Sequence, residues 1–227
     1  MTAVMTTHHA HLQDLFDQAI ALHQAGDLAQ AGLLYQQILL KEPSSFAPRH
    51  MLGVIRFQQG RHDEALGLIA AALDLNPQVA AAWINLGHVQ SVAGHGEKAV
   101  RSYRQALALA PADPVVLKAL AGVLWHLGRH EEALQCLDQL LAGCPEDIEA
   151  LNNRGNLLRA MRRQKPALAD YDAVLAARPD LAETWANRGA LFSEMGLSRQ
   201  ALESLDRALG LVPDLVQALS DRGFILR

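Results

Sequence analysis

Cysteine is scarce in this sequence, with two residues in 227, and aromatic side chains make up only 5%. Two thiols cannot supply the disulfide framework of a small secreted fold. Cys136 and Cys144 are eight residues apart. On one helix that is about 12 Å, beyond disulfide reach, so both are expected to be reduced. The shortage of aromatics argues against a thick globular core and for Ala- and Leu-rich helices in close contact. No excess of either charge exists. The net charge is −4, with 7 basic and 9 acidic side chains in residues 1–113 and 13 and 15 in residues 114–227. Neither half carries a nucleic-acid footprint, and no nucleic-acid partner is expected. No apolar run approaches 18 residues and the N-terminus has no basic segment before an apolar stretch. Membrane spanning and secretion are therefore not expected, and the anticipated location is cytoplasmic.

Catalytic apparatus is also missing. No nucleophile stands with a base, no glycine-rich phosphate loop follows a strand, and no metal-ligand spacing occurs. His126 and His130 are four apart but straddle Gly128 and lack the inner glutamate of a zinc helix, while Glu131 and Glu132 suit a helix N-terminus. His8, His9 and His11 lie in a segment without helical apolar period and are assigned no metal. The chain is read as non-catalytic, with no cofactor.

What the sequence does contain is a period. Residues 80–113 open with Trp83, Leu86, Gly87 and Gln90 on one helical side, turn at Gly94, continue with Ala99, Tyr103 and Ala106 at three- and four-residue steps, and stop at Pro111. This is a helix hairpin of 34 residues. Steps of 34 from Ala99 reach Ala31, Ala65, Ala133, Ala167 and Ala201, and from Pro111 reach Pro43, Pro77, Pro145, Pro179 and Pro213. With proline at roughly 5% of residues, six in register arise by chance on the order of once in a million.

Trp, Leu-Gly, Tyr, Gly, Ala, Ala and Pro at these offsets resemble the tetratricopeptide repeat family over residues 12–227. The resemblance implies an all-α fold, an α-solenoid in which stacked hairpins form a right-handed superhelix and first helices line a concave groove for peptides or proteins. Six repeats are expected at 12–45, 46–79, 80–113, 114–147, 148–181 and 182–215, after a mobile tail at 1–11. Residues 216–227 read as the first helix of a seventh, incomplete repeat. Because Phe224, Ile225 and Leu226 are apolar and adjacent there, the chain is expected to be a fragment of a longer protein or to self-associate through this open end.

The fifth repeat departs furthest from the pattern. Arg162 replaces the turn glycine, inside a run from Arg154 through Arg159, Arg163 and Lys165 that holds no acid. It is either a solvated loop or a contact for an acidic ligand. Arg154, Arg188 and Arg222 share the seventh position of their helices, where leucine is usual, and are expected to take over apolar packing with their stems.

At 100° per residue the second, sixth, ninth and thirteenth positions of each first helix form one stripe, flanked by the fifth and twelfth. Under the resemblance this stripe is the groove. Phe16, Ile20, Met51, Val54 and Phe57 make it apolar at the start. Asn85, His88, Trp125, Asn152, Asn153, Asn156, Arg159, Asn187 and Asp221 are the candidate ligand-binding residues further on. Asn85, Asn153 and Asn187, with Asp221, resemble part of the asparagine ladder in the repeat domain of O-linked N-acetylglucosamine transferases. An amide both donates and accepts, which suits a peptide backbone. Met51 and Ala119 interrupt the ladder, and capping or hydrogen bonding between helices would also account for the asparagines. Trp125 is either a partner anchor or packed on the next hairpin. A carboxylate clamp of the chaperone-partner type, started at Lys118, fails at Gly122, Glu183 and Asn187 and is rejected.

The expected function is a protein-interaction scaffold. Two alternatives stand beside it: the substrate-recruiting part of a glycosyltransferase or sulfotransferase, which the runs NNRG and ANRG resemble, and a self-associating module.

Overall fold

The structure, a computed structural model, describes residues 2–226, with side chains from residue 10 onward. Every regular element among the described residues is an α-helix. The chain divides into two compact units, residues 1–111 and 112–227. The first holds α1 (Thr2–Gln24), α2 (Leu28–Lys41), α3 (Phe46–Gln58), α4 (His62–Leu75), α5 (Ala80–Val92) and α6 (Gly96–Leu109). The second holds α7 (Pro114–His126), α8 (His130–Gly143), α9 (Ile148–Ala160), α10 (Gln164–Ala177), α11 (Ala182–Glu194), α12 (Ser198–Leu211) and α13 (Val216–Ile225). Each unit is a helical-repeat solenoid in which an odd-numbered helix and the next even-numbered one form an antiparallel hairpin.

One local mechanism ends the first helix of each of the six hairpins, α1 through α11. In α5 the Gly94 N–H donates to Ser91 O at 3.1 Å and the His95 N–H to Gln90 O at 2.8 Å, closing a Schellman turn. That turn requires positive φ, which Gly94 supplies at 76°. Arg162 adopts the same conformation at φ 60°, with the same bonds, Arg162 N to Arg159 O and Arg163 N to Leu158 O. Three helices gain a carboxylate cap: Asp27 accepts from Gln30 N, Asp147 from Ala150 N, and Asp113 from Val115 N and Val116 N ahead of Pro114.

Packing within a hairpin explains the small residue at the eighth position. A Cβ on Gly87 would stand 2.6 Å from the Tyr103 ring, and on Gly155 2.7 Å from that of Tyr171, so the two helices meet at backbone distance. Both tyrosines are buried. Between repeats, the Trp83 and Trp185 indoles donate to the carbonyls of Pro77 and Pro179 at 2.8 and 2.9 Å. The recurring proline thus ends one repeat and receives the tryptophan of the next.

Two expectations are corrected here. Helix α1 begins at Thr2, so residues 2–11, set apart as a tail, are helical; the side chains of His8 and His9 lie outside the described residues. Once Leu12 and Ala19 anchor the helix in the first core, each further turn needs only propagation, which is far easier than nucleation and needs no apolar stripe. The arginines of the seventh position do more than lend their stems. Arg154 pairs with Asp138 and Asp170, Arg188 with Asp172 and the Ser204 hydroxyl, and Arg222 with Asp206. Each reaches back sixteen residues to the preceding second helix, and the first two also forward sixteen to their own.

Candidate protein-interaction groove

In the second unit two cavities open along the predicted stripe. The first, about 330 Å³, lies between Lys118, Gly122, Trp125 and His126 of α7 and Asn153 and Asn156 of α9, with Leu137 of α8 at its base. The second, about 400 Å³, lies between Trp125, the α9 end at Asn156, Arg159 and Arg162, and Asn187 and Glu194 of α11. Trp125 and Asn156 belong to both. The Trp125 ring is half-buried, held by His130 at a centroid distance of 5.5 Å. The ring packs on His130 and also lines both cavities. Gly122 deepens the first cavity because the ninth position carries no side chain there. That position reads Ile20, Val54, His88 and Asn156 in other repeats, and the missing side chain was the available signal.

The asparagines divide into free and engaged. Asn153 and Asn187 have no hydrogen-bond partner among the described residues, so donors and acceptor alike face the groove. The Asn156 carbonyl accepts from the Tyr171 hydroxyl at 2.7 Å, leaving its N–H donors available. Burial raises the Tyr171 pKa to about 12, so the phenol remains a donor. Asn152 accepts from the Thr184 hydroxyl at 3.2 Å and links α9 to α11. In the first unit Asn85 is not available: its amide pairs with the buried His50 ring at 2.9 Å, joining α5 to α3. His88 packs edge-on against Tyr103 at 5.6 Å. Burial lowers the pKa of both His50 and His88, keeping them neutral. Asp221, half-buried on α13, belongs to neither cavity.

Charge in the groove is matched internally. Lys118 Nζ lies 2.7 Å from Glu149 and 3.4 Å from Asp147, and its pKa is raised first by the bond from Glu149. Arg159 lies 2.9 Å and Arg162 3.7 Å from Glu194. With Arg163 on Glu131, the arginines of the fifth-repeat run are all paired with acids, while Arg162, Arg163 and Lys165 are exposed, as a solvated turn would be. Its arginines meet acids brought from α8, α10 and α11, which the run itself does not contain. The carboxylates lie at offsets of 16 to 35 residues, legible only once neighbouring repeats are superposed.

The apolar stretch of the first unit is used largely in packing. Phe16 tilts on Tyr35 at 5.7 Å and joins Met51 against the first core, and Phe57 joins the next, against His62. Val54 and Ile20 are half-buried. Phe16 also lines a small cavity of about 160 Å³ with Leu12, Ile38 and Pro48. Among the described residues no three His, Cys, Asp or Glu side chains converge on a point that would hold a metal ion, and no helix is long and apolar enough to cross a membrane.

Residues 22–86 and 93–153, more than half the chain, match the tetratricopeptide repeat family. The fold is similar to that of YrrB, a repeat protein of this kind with an unusual peptide-binding site: 23% identity over 83% of this chain and 97% of that one, TM-score 0.74. It is also similar to a tetratricopeptide repeat protein from Parabacteroides merdae, 20% identical over 94% and 85%, TM-score 0.77. PilF of Pseudomonas aeruginosa is 18% identical over 94% and 97%, TM-score 0.75.

Proposed function

The chain belongs to the tetratricopeptide repeat family, and on that premise we propose that it is a protein-interaction module whose second unit binds an extended segment of a partner protein across Trp125. The observation that carries this reading is the pair of cavities sharing Trp125, edged by the unpartnered amides of Asn153 and Asn187. An amide that donates and accepts reads main chain irrespective of sequence, and the indole face over the Gly122 recess takes one large apolar side chain. Because Lys118, Arg159 and Arg162 are already matched by acids, the groove selects for shape and main chain over charge. The peptide-binding neighbour YrrB supports the class of ligand. The module is proposed to work in the cytoplasm, where Cys136 and Cys144, neither of them in a disulfide, stay reduced.

In the runs NNRG and ANRG, Arg154 and Arg188 and the glycines that follow pack against the neighbouring second helices.

Panning a displayed random-peptide library on the immobilised chain tests the proposal. Enriched peptides are expected to bind Trp125→Ala and the double variant Asn153→Ala, Asn187→Ala at least tenfold more weakly, with helicity unchanged. Peptides that bind all three chains equally, or no enrichment at all, would overturn it.

A further inference from the structure

In four first helices a mid-helix glycine is required by packing. A Cβ built on Gly53, Gly87, Gly155 or Gly189 would lie 2.6–2.7 Å from Ile69, Tyr103, Tyr171 or Leu205, each sixteen residues on. Helix α7 departs from this by one residue. Ala121 takes the packed register and is buried, as is Leu137 sixteen residues on. The glycine comes next, at 122, where a Cβ would meet nothing within 4 Å. Gly122 thus weakens the helix locally with no contact that calls for it. Its effect is on the groove side, where it is exposed and opens the cavity of about 330 Å³ above Leu137.

The adjoining repeats fill the same register with a ring and a polar side chain. At the ninth position His88 meets the Tyr103 ring edge-on at 5.6 Å, and Asn156 accepts from the Tyr171 hydroxyl at 2.7 Å. The fourth repeat has neither member of the pair, with Gly122 in place of the one and Leu137 in place of the other. Its recess is continuous with the Asn156–Tyr171 contact, because Asn156 borders both. The polar groups at its rim are complementary: Asn156 has N–H donors available, and Asn153 offers its carbonyl as well.

Resting on the groove reading above, we propose that the Gly122 recess is a subsite for one tyrosine side chain of the partner segment. The ring lies against the Trp125 indole over Leu137, and the hydroxyl accepts from Asn156 and donates to Asn153. Such a hydroxyl uses both amides at once. An aliphatic side chain of similar size would take them out of water with no partner, which costs affinity. Phenylalanine keeps the ring contact and loses the two hydrogen bonds. The tyrosine has to come from another protein, since the three in this chain, Tyr35, Tyr103 and Tyr171, are all buried in its own hairpins.

The test pans a displayed random-peptide library on the full chain and on Gly122→His, which gives α7 the ninth-position side chain of α5. Peptides enriched on the parent are expected to carry a tyrosine. Exchange of that tyrosine for leucine should weaken binding about tenfold, and exchange for phenylalanine about threefold. Gly122→His fills the recess and should weaken binding about tenfold, while Gly122→Ala, whose Cβ meets nothing, should bind as the parent does. Both variants are expected to melt at or above the parent midpoint, so lost binding is not lost folding. Peptides that need Trp125 but tolerate leucine for tyrosine, or bind Gly122→His as tightly, overturn the subsite and leave the groove standing. No enrichment, or binding indifferent to Trp125→Ala, overturns both.

Discussion

Arg154 grips Asp170 through two parallel hydrogen bonds, Nε to Oδ2 at 2.9 Å and Nη2 to Oδ1 at 2.7 Å, and reaches Asp138 with its remaining nitrogen at 2.8 Å. Asp170 is buried, so removing the arginine strands a carboxylate in the interior. Arg154→Leu is expected to cost about 3 kcal/mol in urea unfolding. The second repeat places Leu52 and Leu68 at these same two positions. Arg154→Leu with Asp170→Leu should therefore recover to within about 1 kcal/mol of the parent. A double variant as unstable as the single one would show that the ion pair has no apolar substitute.

Arg162 occupies a left-handed turn position that five other repeats give to glycine. Arg162→Gly relieves about 1 kcal/mol of backbone strain and loses only the 3.7 Å contact to Glu194. The variant should melt a few degrees higher by circular dichroism, and a lower midpoint would contradict the strain.

The Tyr35 hydroxyl is buried with no hydrogen-bond partner, and burial raises its pKa. Tyr35→Phe is expected to gain about 1 kcal/mol by removing the orphan group. Tyr171→Phe, which breaks a made bond to Asn156, should lose about 1 kcal/mol under the same denaturant titration.

His50 and His88 have pKa values lowered by burial, so the folded state binds fewer protons than the unfolded chain below about pH 6.5. Stability is then complete above that pH and falls as the solution is acidified through it toward the folded values. Melting between pH 7.5 and 5.5 should show this slope. The variant His50→Gln, His88→Gln should flatten it, and a slope indifferent to both substitutions would place the proton uptake elsewhere.

The fold was legible because two constraints recur at one interval: a turn that demands positive φ, read as Gly26 through Gly196, and a proline that stops the second helix, read as Pro43 through Pro213. The groove was only partly legible. Helical geometry alone places Trp125, Asn153 and Asn187 on one stripe, but whether a polar residue there is free depends on the neighbouring helix. Asn85 and Asn153 hold the same position two repeats apart, yet His50 bonds the first, whereas Lys118, at the same offset from the second, is taken up by Glu149 and Asp147. The arginine pairs were written in the sequence as 16-residue offsets, from Asp138 to Arg154 to Asp170, from Asp172 to Arg188 and from Asp206 to Arg222. An offset spanning half a repeat is visible only when the hairpin geometry is already known.

In an array that behaves as a one-dimensional chain of coupled elements, the coupling between neighbours decides whether they open together or one by one. Within the second unit part of that coupling is ionic, through Asp138, Asp172 and Asp206, whereas the leucines at the seventh position of α3 and α5 make it apolar in the first. Salt weakens the exposed share of the one and spares the other. Ionic strength is thus a control on cooperativity: concentrated salt shortens the distance over which one repeat of the second unit senses the unfolding of the next.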